Sequence, residues 1–140
     1  MSAVEEMQTL YTAYLAEAAE VEAHARPWDG ILGFGARPAD HPCHTRFVEQ
    51  LVQKTRQFRD DGIPAEEAAR LVEKICHEPL EHRTPASVYW TLIAAQGAAL
   101  DLIPRMDPAD RAGLCARFQQ DYPRSERLPV QKYVLKALKA

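Results

Sequence analysis

The chain has 140 residues, of which 46% are hydrophobic and 26% are charged, a balance typical of one folded domain and unlike that of a disordered protein. Its formal net charge of −3 argues against a general nucleic-acid-binding protein, because such proteins are normally basic. The charge is uneven: residues 1–40 hold 7 acidic and 2 basic side chains, whereas residues 83–140 hold 5 and 9. We therefore expect a single domain over residues 1–140, in which opposite charges meet within the fold or attract a charged partner.

The first segment carries the signals of a long amphipathic helix, predicted over about residues 3–25. Ser2 and Glu5 are spaced as a capping box, in which each side chain bonds a free backbone N–H at the helix start. Apolar residues then recur at three- and four-residue intervals and form one stripe, with the glutamates mostly on the other faces. This helix should bury its apolar stripe and present an acidic face to water.

Two further helices are predicted with a very short connection between them. Pro42 opens the second helix, in a first turn where the missing N–H of proline costs nothing. Gly62 ends it, because glycine adopts the left-handed cap conformation without strain, and Pro64 begins the third helix at once. The third helix should stop before Pro79. So short a turn predicts an antiparallel hairpin.

A different kind of helix is predicted over about residues 84–103. No charged residue occurs from Thr84 to Leu100, and the apolar residues point in every direction around the helix. This pattern predicts a central helix that is buried on most sides. A membrane span is the alternative, since the segment approaches the required length of about 20 residues. Polar residues such as Thr91 and Gln96 dilute it, so we expect no membrane partner.

Two amphipathic helices complete the chain, and they start at Asp107–Pro108 and at Pro129. The last helix is expected to expose its lysines and to bury Val130, Tyr133, Val134, Ala137 and Leu138. The sequence thus predicts an all-α fold, an irregular bundle of about six helices around the buried apolar central helix. Alternating helix directions would place the start of helix 2, the end of helix 3 and the 121–128 connection at one end of the bundle.

Histidines and cysteines are concentrated at that end. Four of the five histidines and two of the three cysteines lie within residues 41–44 and 76–82. Cysteine and histidine side chains within a few ångströms of one another can form a tetrahedral zinc site. One hypothesis is therefore a zinc site drawn from Cys43, His44, Cys76, His77 and His82. The spacing matches no standard zinc motif, so the alternative is a core cysteine with surface histidines and no cofactor.

Cys43 also suggests a site without metal. It follows the proline that opens helix 2, where free N–H groups and the helix dipole stabilise a thiolate. His41 and His44 flank it and could accept its proton, so a reactive thiol is a further hypothesis. The odd number of cysteines and the lack of a basic-then-apolar leader predict free thiols and a cytoplasmic location.

The longest stretch without helix signals, residues 26–40, contains Trp28 and Phe34 among three glycines that form no phosphate-binding motif. Aromatic residues on long loops are effective contact anchors, although these side chains could instead fold back and cover the end of the bundle. The sequence holds no catalytic motif. We therefore expect a non-enzymatic binding module that contacts a protein partner, with zinc or a reactive thiol as the alternative. Trp28 and Phe34 are the predicted anchors, and Arg124 and Arg127 are the predicted polar support.

Overall fold

The computed structural model describes residues 2–29, 31, 33, 35, 37–77, 85–91 and 96–140, and every regular element in them is helical. In chain order the α-helices are α1 (Ala3–Ala23), α2 (Pro42–Asp60), α3 (Ala65–His77), α4 (Pro85–Trp90), α5 (Gln96–Ala99), α6 (Pro108–Asp121) and α7 (Pro129–Lys139). Short 3-10 turns lie at Pro38–Asp40, Ile103–Arg105 and Arg124–Glu126. The predicted all-α fold is confirmed, with buried apolar side chains from most of these helices forming one hydrophobic core.

Helix α1 begins with the predicted capping box. The Ser2 hydroxyl accepts a hydrogen bond from the Glu5 N–H at 3.2 Å, and the Glu5 carboxylate accepts one from the Ser2 N–H at 3.3 Å. A third acceptor comes from α3, whose Glu67 carboxylate accepts the Ala3 N–H at 3.0 Å. The predicted stripe is buried through Met7, Tyr11, Tyr14 and Ala18. Helix α1 therefore forms as predicted, although it ends two residues earlier.

Helices α2 and α3 are joined by the predicted short turn. Gly62 has a φ of +74°, the left-handed conformation that glycine adopts without strain. The two helices pack mainly against α1 and α5 rather than against each other. The predicted short connection is thus present, but direct packing between α2 and α3 is minor.

The predicted central helix corresponds to α4 and α5, and residues 92–95 between them lie outside the described part. The helical backbone ends at Ala99 and a turn leads to the 3-10 segment. Ser87, Thr91 and Gln96 are buried, but Tyr89 is 54% exposed, so burial on most sides is not confirmed. Among the described helices, none has both the length and the hydropathy needed to cross a bilayer.

Helix α7 faces the core differently from the prediction. Tyr133 was expected to be buried and is 64% exposed, so that prediction is wrong. The buried stripe instead runs through Gln131, Val134, Leu135 and Leu138, which are spaced by three and four residues. Gln131 lies in this stripe because its side-chain oxygen accepts the Leu128 N–H at 2.7 Å and so satisfies a free donor at the helix start.

Part of the uneven charge is compensated where α1 meets α2. Glu6 pairs with Lys54 and Glu17 pairs with Arg46, each at 3.0 Å. The acidic face of α1 is therefore partly neutralised by its basic neighbour in the fold, which is one of the two outcomes expected from the sequence.

Candidate functional site

The start of α2 is the first candidate site, and its backbone is organised by His41. The His41 ring nitrogen Nδ1 accepts a hydrogen bond from the Cys43 N–H at 3.1 Å, which makes this imidazole the side-chain cap of the helix. Cys43 and His44 follow with exposures of 2% and 1%. Both of these predicted site residues thus point into the protein rather than towards solvent.

His44 uses both of its ring nitrogens within the fold. Its Nε2 lies 2.9 Å from the Pro38 carbonyl oxygen, and its Nδ1 lies 2.8 Å from the Tyr14 hydroxyl. Because a carbonyl can only accept, Nε2 is the donor to Pro38, and in that tautomer Nδ1 accepts from the Tyr14 hydroxyl. Both ring nitrogens are therefore occupied by hydrogen bonds within the fold, and neither is free for another ligand.

Trp90 completes this cluster from α4. Its indole ring stacks on the His44 ring with a centroid distance of 5.9 Å and an interplanar angle of 3°. The Trp90 Nε1–H donates to the Ala39 carbonyl at 3.0 Å. The side chains of Tyr14, His44 and Trp90 thus link α1, α2, α4 and the Pro38–Asp40 turn. Together they form a packed contact within the fold.

The Cys43 thiol has the opposite electrostatic tendency to the one predicted. Burial raises its pKa, and the nearby Glu17 carboxylate raises it further. Arg46 and the backbone N–H groups of Cys43 and His44 lower the pKa, as expected for a helix start, but their effect is smaller. A reactive thiol requires a lowered pKa, so the direction at Cys43 is the reverse of what that hypothesis needs.

Cys76 lies among different neighbours. It is fully buried, and burial raises the pKa of its thiol to about 12. Its backbone carbonyl accepts from the Tyr122 hydroxyl at 2.7 Å and from the Gln96 side-chain amide at 3.2 Å. The end of α3 therefore meets α5 and the end of α6, as the predicted helix directions require, whereas Cys43 lies against α1.

The described residues do not form the set of metal ligands that the zinc hypothesis requires. No group of three or more histidine, cysteine, aspartate or glutamate side chains is arranged to hold a metal ion in the part of the chain that the structure describes. A metal on His44 would have to replace its hydrogen bond from Tyr14. The side chain of His77 and the whole of His82 lie outside the described residues, so zinc binding there stays a prediction.

The turn around Trp28 is the second candidate site, and the Asp29 carboxylate accepts two hydrogen bonds within it. The Asp29 carboxylate accepts the Arg26 N–H at 2.8 Å and the Arg26 Nε–H at 3.1 Å. Gly35 has a φ of +49°, and a Cβ there would lie only 2.5 Å from Asp29 Oδ1. A side chain at position 35 would therefore have to displace the Asp29 carboxylate, and the positive φ of Gly35 also favours glycine there.

This turn presents apolar side chains to solvent. Trp28 is 49% exposed and Ile31 is 52% exposed, and the Arg26 guanidinium lies 5.8 Å from the centroid of the Trp28 ring. The Ile31 N–H donates to the Trp28 carbonyl at 3.1 Å, which fixes the spacing of the pair. Phe34, the other predicted anchor, lies outside the described residues.

The two predicted arginines have different environments. Arg124 is exposed in the Arg124–Glu126 turn. Arg127 is half-buried, and its Nε–H donates to the Tyr122 carbonyl at 2.8 Å, which ties the connection to the end of α6. No hydrogen bond, ion pair or ring contact between described residues joins either arginine to Trp28, and Phe34 lies outside the described residues, so the four-residue patch stays a prediction.

Known proteins offer no guide to these sites. The chain matches no protein-family model, no curated protein and no solved structure. The interpretation of each site consequently rests on its geometry and chemistry.

Sequence reasoning missed two exposed residues. Ile31 and Tyr89 both lie more than half exposed, yet each occurs in an apolar context that suggested burial. For Ile31 a signal existed, because Gly30 and Gly33 enclose the Ile31–Leu32 pair and glycine is a typical turn residue. For Tyr89 we find none, since the uncharged stretch around it is typical of buried helices.

Proposed function

We propose that this chain is a non-enzymatic binding module that acts through protein–protein contact, with the Trp28 turn as its centre. The observation that carries the proposal is the combination of two exposed apolar side chains, Trp28 and Ile31, with a turn fixed by Asp29. An exposed tryptophan on a flexible tail could simply reflect a lack of contacts. On a turn held by two hydrogen bonds, exposure is a property of the folded structure.

The hydrogen bonds within the turn support a binding role for energetic reasons. Ordering a loop on binding costs conformational entropy, and a loop that is already ordered avoids that cost. Tryptophan and arginine are the residue types most often responsible for binding energy at interfaces. Trp28 with Arg26 beside its ring supplies both, in a region where Phe34 is expected to add a further anchor.

The remaining predicted contacts are consistent with a peripheral role. Arg124 is exposed and free to approach an acidic group on the partner, whereas Arg127 already donates one hydrogen bond within the fold. We propose a protein partner rather than nucleic acid, since the net charge is −3. The three cysteines are free thiols, which supports a reducing compartment such as the cytoplasm.

The test compares two exposed aromatic residues. The purified chain and its Trp28→Ala and Tyr133→Ala variants are used to capture binding proteins, which are identified by mass spectrometry, produced in pure form and titrated by calorimetry. Trp28→Ala should weaken binding at least about thirtyfold, the loss of about 2 kcal/mol that defines an interface anchor. Tyr133→Ala, which is on α7, should bind normally.

Thermal unfolding of the same variants separates binding from folding. Trp28→Ala should unfold within a few degrees of the wild type, because about half of this side chain is already in contact with water. A partner that binds Trp28→Ala as tightly as the wild type, or a large loss of stability in that variant, would overturn the proposal.

A further inference from the structure

A pocket between the end of α1 and the start of α2 lies beside the Trp28 turn. Its volume is about 410 Å³, within the range of about 300–1,000 Å³ that small-molecule sites occupy. The last turn of α1, Asp29, the Pro38–Asp40 turn and the first residues of α2 form its walls. Two histidines from different helix ends, His24 and His41, contribute to it, and their hydrogen bonds within the fold determine what each ring offers to a ligand.

His41 offers the pocket a hydrogen-bond donor. Its Nδ1 accepts from the Cys43 N–H at 3.1 Å, so in the uncharged ring the proton lies on Nε2. No described residue accepts this Nε2–H, and the side chain is only partly buried. The cap of α2 therefore fixes the tautomer of His41 and leaves a donor available to a ligand.

His24 offers the opposite group. Its Nδ1 lies 2.9 Å from the Glu20 carbonyl oxygen, and because a carbonyl can only accept, Nδ1 carries the proton in the uncharged ring. No described residue donates to its Nε2, and the side chain is 77% exposed. One histidine of the pocket thus presents a donor through Nε2, and the other presents an acceptor through the same atom.

The charged side chains of the pocket favour an uncharged ligand. Glu20 and Asp29 would repel an anion, whereas the Arg37 guanidinium would repel a cation. Asp29 already pairs with Arg26 at 3.1 Å, and Arg37 pairs with Asp40 at 2.9 Å. Glu20 is 74% exposed, where water weakens its charge. A ligand with a net charge of either sign would therefore gain little.

The remaining walls are apolar. Val21, Ala25, Pro38 and Pro42 offer mainly carbon atoms to a ligand, and a short alkyl chain would cover them. The pocket thus combines one hydrogen-bond donor, one acceptor and an apolar surface. An amide group on a short alkyl chain matches this combination, because its oxygen accepts and its N–H donates while the group stays uncharged.

We propose that this pocket binds a primary carboxamide, whose oxygen accepts from His41 Nε2 and whose N–H donates to His24 Nε2. Two sources share that chemistry, a free small amide and the glutamine or asparagine side chain of a protein. The site does not include Trp28, so it stands or falls independently of the proposed protein-binding turn.

The experiment uses butanamide as the probe at pH 8, where histidine is normally uncharged. Butanamide should shift the ring nitrogen resonances of His24 and His41 in NMR spectra, with a Kd in the millimolar range expected of so small a molecule. The resonances of His44 should not move, because both of its ring nitrogens are bonded within the fold. Butanoate and butylammonium, which have similar alkyl chains but opposite charges, should bind at least about tenfold more weakly.

Two blocked tripeptides distinguish the sources. If the natural ligand is a protein side chain, a peptide with glutamine between two alanines should bind more tightly than butanamide, and a peptide of three alanines should not bind. If it is a free amide, butanamide should bind and the glutamine peptide should not.

Three variants assign the effect to the site. His41→Ser should weaken butanamide binding at least about tenfold, because serine keeps an acceptor for the Cys43 N–H but removes the ring donor. His24→Ala should weaken it by a smaller factor, and since His24 is exposed, this variant keeps the test valid if His41→Ser fails to fold. Thr45→Ala is the matched control and should bind normally, because Thr45 lies in the same first turn of α2 but bonds to the Pro42 carbonyl.

Three results would overturn the proposal. The first is that neither butanamide nor the glutamine peptide shifts the two histidines at concentrations up to about 100 mM, far above the expected Kd. The second is that butanoate or butylammonium binds as tightly as butanamide, or that the alanine peptide binds as tightly as the glutamine peptide. The third is that His41→Ser and His24→Ala both bind butanamide as the wild type does.

Discussion

Two stretches that follow one another in the chain, the turn around Trp28 and the start of α2 around His44, use their side chains in opposite ways. The His44 imidazole uses both ring nitrogens in hydrogen bonds within the fold, and its ring stacks on Trp90. At Trp28, the polar side chains bond to one another and leave the apolar ones in water. A side chain thus indicates a binding site when the fold leaves its hydrogen-bonding groups or its apolar surface unused, whatever its chemical type.

The largest effect that would sharpen this contrast is expected from His44→Ala. The substitution leaves the Tyr14 hydroxyl and the Pro38 carbonyl without their partner and creates a cavity beside Trp90. We expect a loss of about 3 kcal/mol in the free energy of unfolding, measured by urea titration. Tyr14→Phe, which removes only the hydroxyl donor, should cost about 1–2 kcal/mol.

The contrast would fail if His44→Ala and Trp28→Ala destabilised the protein equally. Such a result would mean that Trp28 contributes as much to folding stability as His44. The exposure of Trp28 would then no longer be an argument for a binding site.

A second, smaller effect follows from the buried thiols and concerns alkaline pH. The folded-state pKa of Cys76 is raised to about 12, so between about pH 8.5 and 12 the unfolded chain loses a proton that the folded chain keeps. Stability should therefore fall as pH rises through that window, by about 1–2 kcal/mol at pH 10 for this thiol. Cys43, whose pKa is also raised, acts in the same direction.

The measurement is the free energy of unfolding at pH 8 and pH 10. Cys76→Ala should remove about 1–2 kcal/mol of the difference between the two pH values. Val72→Ala, one helical turn earlier and equally buried, creates a cavity without removing an ionisable group and should lower both values alike. An unchanged pH difference in Cys76→Ala would show that the thiol ionises normally in the folded protein.

The smallest effect concerns the glycines of the Trp28 turn. Gly33 and Gly35 both have positive φ, so alanine at either should cost about 1 kcal/mol in backbone strain. Only at Gly35 would the new Cβ also collide with Asp29. Gly35→Ala should therefore speed amide hydrogen exchange at Arg26, whose N–H is bonded to Asp29, while Gly33→Ala should not. Equal exchange rates in the two variants would show that Asp29 does not hold the turn.

Local signals in the sequence predicted most helix boundaries. The Ser2–Glu5 capping box, Pro42 and Gly62 each act within a few residues, so their effect is readable without the fold. Burial on α7 was harder to predict, because Tyr133 and Gln131 are both compatible with a helix. Which of them faces inward depends on α5 and α6, and a glutamine that caps its own helix start can be buried at little cost.

The candidate site was predicted less well than the fold, for a related reason. The sequence showed that Cys43 and Cys76 lie near helix ends, but not that Cys43 lies against α1 while the Cys76 carbonyl bonds to Gln96 and Tyr122. Nor could it show that a carbonyl and a phenol satisfy His44. Such hydrogen bonds join residues that are distant along the chain, and they decide whether a histidine is available for chemistry.

The bond from the Ala3 N–H to Glu67 has a consequence for the order of assembly. A helix start is usually completed by residues a few positions away, yet here one acceptor comes from a residue 64 positions along the chain. The amino end of α1 therefore reaches its final state only after α3 has docked. The start of α1, which carries the most local of the sequence signals, thus depends for one of its hydrogen bonds on the tertiary fold.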